Sequence, residues 1–241
     1  MKKTWDSLWL GILPHLLKAN TRWYERGRTG EGRIVMNDQE LQGARVRGLR
    51  GARFERCDFS GANLCLMQHS EMIDCTFDEL ETGFSTWEFA QLIRCRFRGA
   101  WLGSVSYDHA QIEGCDWLGA FMTASSWSGA VVSSSRFRGA AMFDSRFDGG
   151  TFVDCDFRYS ILGRRWNDDL ASASNAVFRN CDFLGADLDR LRLDNVTFEG
   201  CIFDEIKGKP KVAGPVTIID PRTSRRDNTP PTAKELLKSW R

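Results

Sequence analysis

Eight cysteines and three histidines are the residues of this chain best suited to chemistry. Thiols could form disulfides, bind a metal ion or act as nucleophiles, and imidazoles could bind metal or transfer protons. The chain contains no Cys-x-x-Cys pair, and the positions of His15, His69 and His109 match no metal-binding spacing. The sequence therefore predicts free thiols, no metal site and no cofactor.

The chain also lacks the combinations of side chains that enzymes use. It has no Ser-His-Asp order, no glycine-rich phosphate loop and no pair of carboxylates beside a predicted pocket. We therefore predict no catalytic residues, and we expect that the protein is not an enzyme. Its function should then depend on what its surface binds.

Several of the cysteines are twenty residues apart, and this spacing belongs to a repeat. Between residues 77 and 162, every fifth residue is large and apolar at seventeen of eighteen positions, the exception being Thr82. The residue two places earlier is Cys, Ala, Ser or Gly at sixteen of the eighteen positions. A five-residue period fits neither a helix nor a strand, so it indicates stacked repeat units.

Four units make a coil of twenty residues if each unit forms one side of a square. Residues twenty apart then lie above one another, about 4.8 Å apart, as in neighbouring strands. Two columns with this spacing are Cys75, Cys95, Cys115, Ser135, Cys155 and Phe77, Phe97, Trp117, Phe137, Phe157. We expect all eight cysteines to occupy the small inward position, where a buried thiol acts as a small hydrophobe. Free thiols favour a cytoplasmic location.

The unit resembles the A-[DN]-L-x-x repeat of the pentapeptide-repeat family. Matching stretches are Ala62-Asn63-Leu64, Cys57-Asp58-Phe59, Cys181-Asp182-Phe183 and Ala186-Asp187-Leu188. The resemblance implies an all-β fold, a right-handed quadrilateral β-helix. A column of large rings beside a column of small residues would fill its narrow interior.

The sequence divides into three parts. Residues 1–33 predict an N-terminal amphipathic helix that acts as a cap, and residues 34–207 predict the β-helix, with about seven coils. Residues 34–53 match the repeat irregularly, and residues 163–175 interrupt it, which predicts a loop leaving the coil. Residues 208–241 predict a tail with a short helix. No stretch approaches the roughly 20 apolar residues of a membrane span.

Charge divides the chain in the same way. The formal net charge is +1, yet residues 52–207 contain 24 acidic and 15 basic side chains, and both ends are basic. Arginines at the ends, such as Arg45 and Arg47, could hold phosphates. The acidic middle would repel a nucleic acid, so we expect no direct nucleic-acid binding.

The resemblance implies one function above others. Family members that confer fluoroquinolone resistance, or immunity to gyrase-poisoning peptides, are acidic rods that imitate duplex DNA. They bind type II topoisomerases, often with a loop interrupting the coils. The resemblance therefore implies DNA gyrase or a related topoisomerase as the partner. The alternative is a non-enzymatic structural or protein-interaction scaffold that uses outward apolar side chains and the termini.

Two sets of side chains could contact a partner. The predicted loop contains arginine and tryptophan, which are enriched at binding hot spots, together with two aspartates. A stripe of outward apolar side chains should be covered either by the N-terminal helix or by a partner. The predicted partner-binding residues are Arg164, Arg165, Trp166, Asp168, Asp169, Trp101, Phe121 and Phe143, and Ile161 extends the stripe.

A capping box at Thr232 and Glu235 predicts the start of the terminal helix. The helix is too short to be stable alone, so it should dock on its own rod or on a second subunit. The resemblance also implies a homodimer. The predicted dimerisation residues are Leu236, Leu237 and Trp240.

Overall fold

A four-sided β-helix of about nine turns forms the body of the protein, with one helix near each end. The computed structural model describes residues 9–29, 31–163, 171–223 and 231–240. In each five-residue unit, the central residue and the small residue two places before it point inward, and the two neighbours of the central residue point outward. The second residue after the centre forms the corner, typically with a positive φ. The predicted right-handed quadrilateral β-helix is confirmed.

Four faces follow one another around each coil. Face one is a ten-stranded parallel sheet, whose strands pair in register, as Gln91 does with Gln111. Face two contains the column of Phe77, face three the column of Leu102, and face four the column of Trp87.

Face one contains ten of the fifteen strands, face three two and face four three. The strands of face one are β1 (Val35–Asn37), β3 (Arg53–Glu55), β5 (Glu71–Ile73), β6 (Gln91–Ile93), β7 (Gln111–Glu113), β8 (Val131–Ser133), β9 (Thr151–Val153), β11 (Val177–Arg179), β13 (Val196–Glu199) and β15 (Val216–Ile219). Those of face three are β2 (Arg45–Arg47) and β4 (Asn63–Cys65), and those of face four are β10 (Ser172–Ser174), β12 (Arg192–Asp194) and β14 (Lys211–Val212). The helices are α1 (Trp9–Glu25) and α2 (Ala233–Trp240).

Aromatic rings fill the interior. On face two, the ring centroids of Phe77, Phe97 and Trp117 are successively 4.7 and 3.9 Å apart, and the rings are nearly parallel. Rings from face four meet this stack edge-on, as Tyr107 does with Trp117 at 5.5 Å. All four side chains are fully buried. Stacking along each column and edge contacts between columns therefore hold the core together.

The coil is longer than the sequence indicated. β1 pairs with β3, and β3 with β5, at a spacing of eighteen residues, so the first two coils are two residues short. The shortening of the second falls at the three-residue step between the central residues Leu64 and Met67. Residues 34–53, whose match to the repeat is irregular, thus form part of a regular coil. At the other end, β14 and β15 pair with β12 and β13, so the coil extends beyond Lys207.

Seven of the eight cysteines are buried at the small inward position, as predicted. The prediction was wrong for Cys65, which follows the central residue Leu64 and is half-buried. The small inward position of that unit is occupied by Ala62, which is fully buried. Burial raises the pKa of the Cys95 thiol well above its usual range, and the neighbouring Cys115 contributes. A thiol in that environment is a poor nucleophile.

A thiol reagent should therefore label a single cysteine quickly in the folded protein. We expect brief exposure of the native protein to iodoacetamide to modify Cys65, and the other seven to react after unfolding. Peptide mass spectrometry identifies the labelled site, and Cys65→Ser should remove the fast reaction. Fast labelling of several buried cysteines would contradict their inward assignment.

Helix α1 covers the first coil. The side-chain amide of the buried Asn20 donates to the Arg50 carbonyl at 2.9 Å, and its side-chain oxygen accepts the Ile34 amide at 2.8 Å. Trp23 is buried as well, with the Arg33 guanidinium 5.5 Å from its ring centroid. These contacts place α1 over the otherwise open N-terminal edge of the β-helix. Neither helix, as far as it is described, is long and apolar enough to cross a membrane.

Helix α2 covers the other end. The predicted capping box is present: the Glu235 amide donates to Thr232 Oγ1 at 3.2 Å, and the Thr232 amide donates to the Glu235 carboxylate at 2.8 Å. The buried Trp240 ring meets Phe203 edge-on at 5.4 Å. The sequence left two docking sites open for this helix, and the structure shows it docked on its own rod.

Candidate partner-binding surface

The predicted loop lies at the corner between faces three and four. β9 pairs with β11 at a spacing of 26 residues, six more than the spacing between β8 and β9. Ile161 still bridges to Ala141 on face three, and Ser172 bridges to Arg146 on face four. The six extra residues are therefore inserted where the chain turns from face three to face four.

The predicted boundaries of this loop, residues 163–175, were too wide. Ser172–Ser174 is a strand, and the fully buried Ala173 is the centre of its unit. Gly163 also belongs to the coil: its amide donates to the Asp187 carbonyl at 3.1 Å, and a Cβ there would lie 2.3 Å from the Asp189 carbonyl oxygen. The coil thus anchors the loop on both sides. The predicted partner-binding residues Arg164, Arg165, Trp166, Asp168 and Asp169 lie outside the described residues.

The apolar stripe lies on face three, beside the base of the loop. Trp101 and Phe121 stack in neighbouring coils with ring centroids 4.8 Å apart, and Trp101 is 61% exposed. Phe143 is buried and meets Phe121 edge-on at 5.7 Å. Ile161 continues the stripe towards the loop. Helix α1 packs on the first coil instead, so its described part leaves Trp101 uncovered.

A column of carboxylates lies on face four, on the other side of the loop. This carboxylate column comprises Glu88, Asp108, Asp148 and Asp194. Asp148 accepts hydrogen bonds from the Ser172 hydroxyl at 3.0 Å and the Ser174 amide at 2.7 Å. Asp108 is bound in the same way by the hydroxyl and amide of serines in the next coil. These bonds orient the carboxylates without cancelling their charge.

Most of this column has no cationic neighbour. Asp194 pairs with Arg192 at 3.4 Å, whereas no lysine or arginine of the described chain forms an ion pair with the other three carboxylates. The sequence analysis did not select these residues as a site. The signal that could have found them is the twenty-residue spacing of Glu88 and Asp108 and the forty-residue step to Asp148.

On the corner before face two, and on face two itself, arginines neutralise many of the carboxylates. At that corner, Arg94 donates to both oxygens of Asp74 at 2.6 and 2.8 Å. This guanidinium holds the pKa of Asp74 below its ordinary value. On face two, Arg98 pairs with Asp116 at 2.7 Å. The acidic surplus of the coil is therefore uneven, and face four keeps charge that these pairs cancel.

The predicted dimerisation residues lie inside the C-terminal cap. Leu236 and Trp240 are buried, and Leu237 is partly buried against the core. Their contacts are with the chain's own last coils, for example Phe198, whose ring centroid is 6.0 Å from that of Trp240. A homodimer stays a prediction, and these three side chains could contribute to it only if α2 shared or left its place.

The described residues contain no group of three or more histidine, cysteine or acidic side chains that could hold a metal ion. The stacked thiols lie in single file along the interior of the rod, with one cysteine in each coil. The outer surface therefore carries the candidate site: the base of the loop, the apolar stripe and the carboxylate column.

A model of pentapeptide repeats matches residues 170–204 with eight copies. The same unit stacks through the described coil on either side of that stretch. The chain is a pentapeptide-repeat protein. A search of curated proteins finds no match to it.

Two solved structures are similar to this pentapeptide-repeat protein. HetL, a pentapeptide repeat protein involved in heterocyst differentiation regulation in the cyanobacterium Nostoc, is 18% identical, with 87% of this chain and 96% of HetL covered and a TM-score of 0.32. Full-length QnrB1, a plasmid-mediated fluoroquinolone resistance protein, is 15% identical, with 86% and 97% covered and a TM-score of 0.39. Neither likeness extends to function.

Proposed function

We propose that this pentapeptide-repeat protein binds a type II topoisomerase, DNA gyrase or a relative, in place of DNA and protects it from an antibiotic or toxin poison. The observation that supports the proposal is the carboxylate column, whose negative charges are oriented by serine donors and largely lack cationic partners. Protein surfaces that bind duplex DNA are positively charged. A rigid line of carboxylates could occupy such a surface, and no step of the proposal needs a catalytic residue.

The loop and the apolar stripe would complete the contact. The carboxylate column lies on one side of the loop base and the stripe on the other, so a partner held by the column would meet all three. Exposed charges mainly increase the rate of association, whereas buried aromatic and arginine side chains supply most of the affinity. We therefore assign steering to the column and hot-spot contacts to the loop and the stripe.

Removing the charge of the column should weaken protection about tenfold. Each exposed ion pair contributes about 0.5 kcal/mol, so three lost pairs amount to about 1.5 kcal/mol. The variant combines Glu88→Gln, Asp108→Asn and Asp148→Asn. The measurement is the protein concentration that restores gyrase supercoiling in the presence of a fluoroquinolone, at low salt and at about 0.15 M salt. The difference between variant and wild type should shrink at the higher salt.

A matched control removes three exposed carboxylates from face one and its corner, with Glu113→Gln, Asp154→Asn and Asp220→Asn. This control should protect as well as the wild-type protein. Equal loss in both variants would assign the effect to overall charge rather than to the column. If the wild-type protein protects no type II topoisomerase, the proposal is wrong.

The second candidate function is a non-enzymatic interaction scaffold. The exposed Trp101 favours it, because a large apolar side chain in water is unfavourable until a partner covers it. A scaffold would bind its partner through the stripe regardless of gyrase, with little dependence on salt. Salt dependence therefore separates the two candidates.

A further inference from the structure

Gly83 and Gly103 occupy positions where the fold does not require glycine. Each follows the centre of a unit on face three, and neither has a positive φ. A Cβ at Gly83 would lie 3.5 Å from the Gly103 carbonyl oxygen, and one at Gly103 would lie 3.8 Å from Thr123 Oγ1. Both distances are ordinary van der Waals contacts. At the equivalent position, other units of this face have Cys65 or Phe143.

Glycine without a backbone reason indicates close approach by something else. It weakens an extended segment relative to residues with a side chain, and in such segments it often marks a place where a ligand nears the backbone. Two glycines in successive coils leave a strip of bare main chain on face three. We call this strip and its walls the glycine groove.

Exposed aromatic side chains flank the glycine groove. Trp101 and Phe121 line one side, together with Glu81 and Thr82. On the other side, Phe84 projects from the corner next to Gly83, 90% exposed and with a φ of 53°. A bulky residue with positive φ strains the backbone, and its exposure is unfavourable as well. No ring contact in the described part of the chain compensates for these two costs at Phe84.

Two carboxylates give the groove its charge. Glu79 and Glu81 are both exposed, one at the corner before face three and one beside the groove floor. In the described chain, no lysine or arginine forms an ion pair with either. A guanidinium fits this environment, because it can stack on an exposed indole ring and pair with a carboxylate at the same time.

We propose that the glycine groove binds an extended segment of a partner protein in which a large apolar side chain lies next to an arginine. The apolar side chain rests on the bare main chain of Gly83 and Gly103, between Trp101 and Phe84. The arginine stacks on the Trp101 ring and pairs with Glu81. This site is separate from the carboxylate column, and its test contains no topoisomerase, so the two proposals can fail independently.

A random heptapeptide display library, selected on the full chain, tests the chemistry of the occupant. A Gly83→Leu/Gly103→Leu variant removes peptides that bind elsewhere, because leucine fills the groove floor while the backbone tolerates a side chain there. The enriched peptides should combine a large apolar residue with an arginine within three positions. Enrichment of acidic peptides, or no enrichment over the leucine variant, would overturn the proposal.

Point variants locate the contact with the best enriched peptide, measured by fluorescence anisotropy. We expect at least tenfold weaker binding for Gly103→Leu and for Trp101→Ala. Glu79→Gln/Glu81→Gln should weaken binding and flatten its salt dependence. Ser133→Leu is the matched control, since it adds the same side chain after a centre on face one, and it should bind like the wild-type protein. Circular dichroism should show that Gly103→Leu remains folded. Equal affinity of wild type and Gly103→Leu would place the peptide elsewhere and contradict the assignment.

Discussion

Replacing Phe137 with alanine is expected to lower the free energy of unfolding by about 3–5 kcal/mol. Phe137 is fully buried, and its ring stacks between Phe157 at 4.9 Å and Trp117 at 6.0 Å. It also meets Trp127 edge-on at 5.6 Å. Main-chain pairing holds the coils at a constant spacing, so the walls cannot collapse into the cavity. Thermal unfolding should occur about 10 °C lower.

Arg138 provides the control, because it is the next residue and points outward. Its guanidinium lies 5.6 Å from the centroid of Tyr159, an exposed contact worth at most about 1 kcal/mol. Arg138→Ala should therefore shift the unfolding midpoint by a few degrees or less. Denaturant unfolding of both variants gives the free energies. Similar losses from the two substitutions would show that the inward and outward positions are misassigned.

Deleting residues 164–169 is expected to abolish protection of gyrase while leaving the rod intact. The deletion removes six residues, which restores the twenty-residue spacing between β9 and β11 that the other coils on either side have. Neighbouring coils supply their own pairing, so the melting temperature should stay within about 3 °C of the wild-type value. Loss of protection would follow if the loop carries hot-spot side chains.

A second variant separates loop length from loop chemistry. It replaces residues 164–169 with six glycine and serine residues, which keeps the spacing and removes the arginine and tryptophan side chains. Supercoiling with a gyrase poison should show no protection by either variant, and light scattering should show the same assembly as the wild-type protein. Full protection by the glycine–serine variant would assign no role to these side chains.

Spacing was sufficient to predict the fold because each unit is short and its direction is set locally. Every central residue from Phe77 to Leu162 is buried, including the one polar exception. Thr82 remains compatible with the interior because its hydroxyl donates to the Leu64 carbonyl at 2.6 Å. The interior of a solenoid repeats along one dimension, so a local pattern describes most of it.

The pattern was less informative where a unit lacks a large centre or the normal length. Ala173 marks the centre of β10, yet alanine is too small to distinguish a centre from the small inward position, so the predicted loop extended across this strand. The three-residue steps of the first coils also obscured the repeat at its start. The position of the loop itself was correctly indicated, since the frame changes there.

The sequence by itself determined which side chains are inside the rod and where its frame is interrupted. The tertiary structure decided how the outward side chains meet. Arg94 reaches Asp74 and Arg98 reaches Asp116 across neighbouring coils, and which residues become neighbours depends on coils of eighteen, twenty or 26 residues. The unneutralised carboxylate column and the bare groove floor at Gly83 are consequences of that stacking, because charge pairing and the space around a backbone depend on residues far apart in the chain.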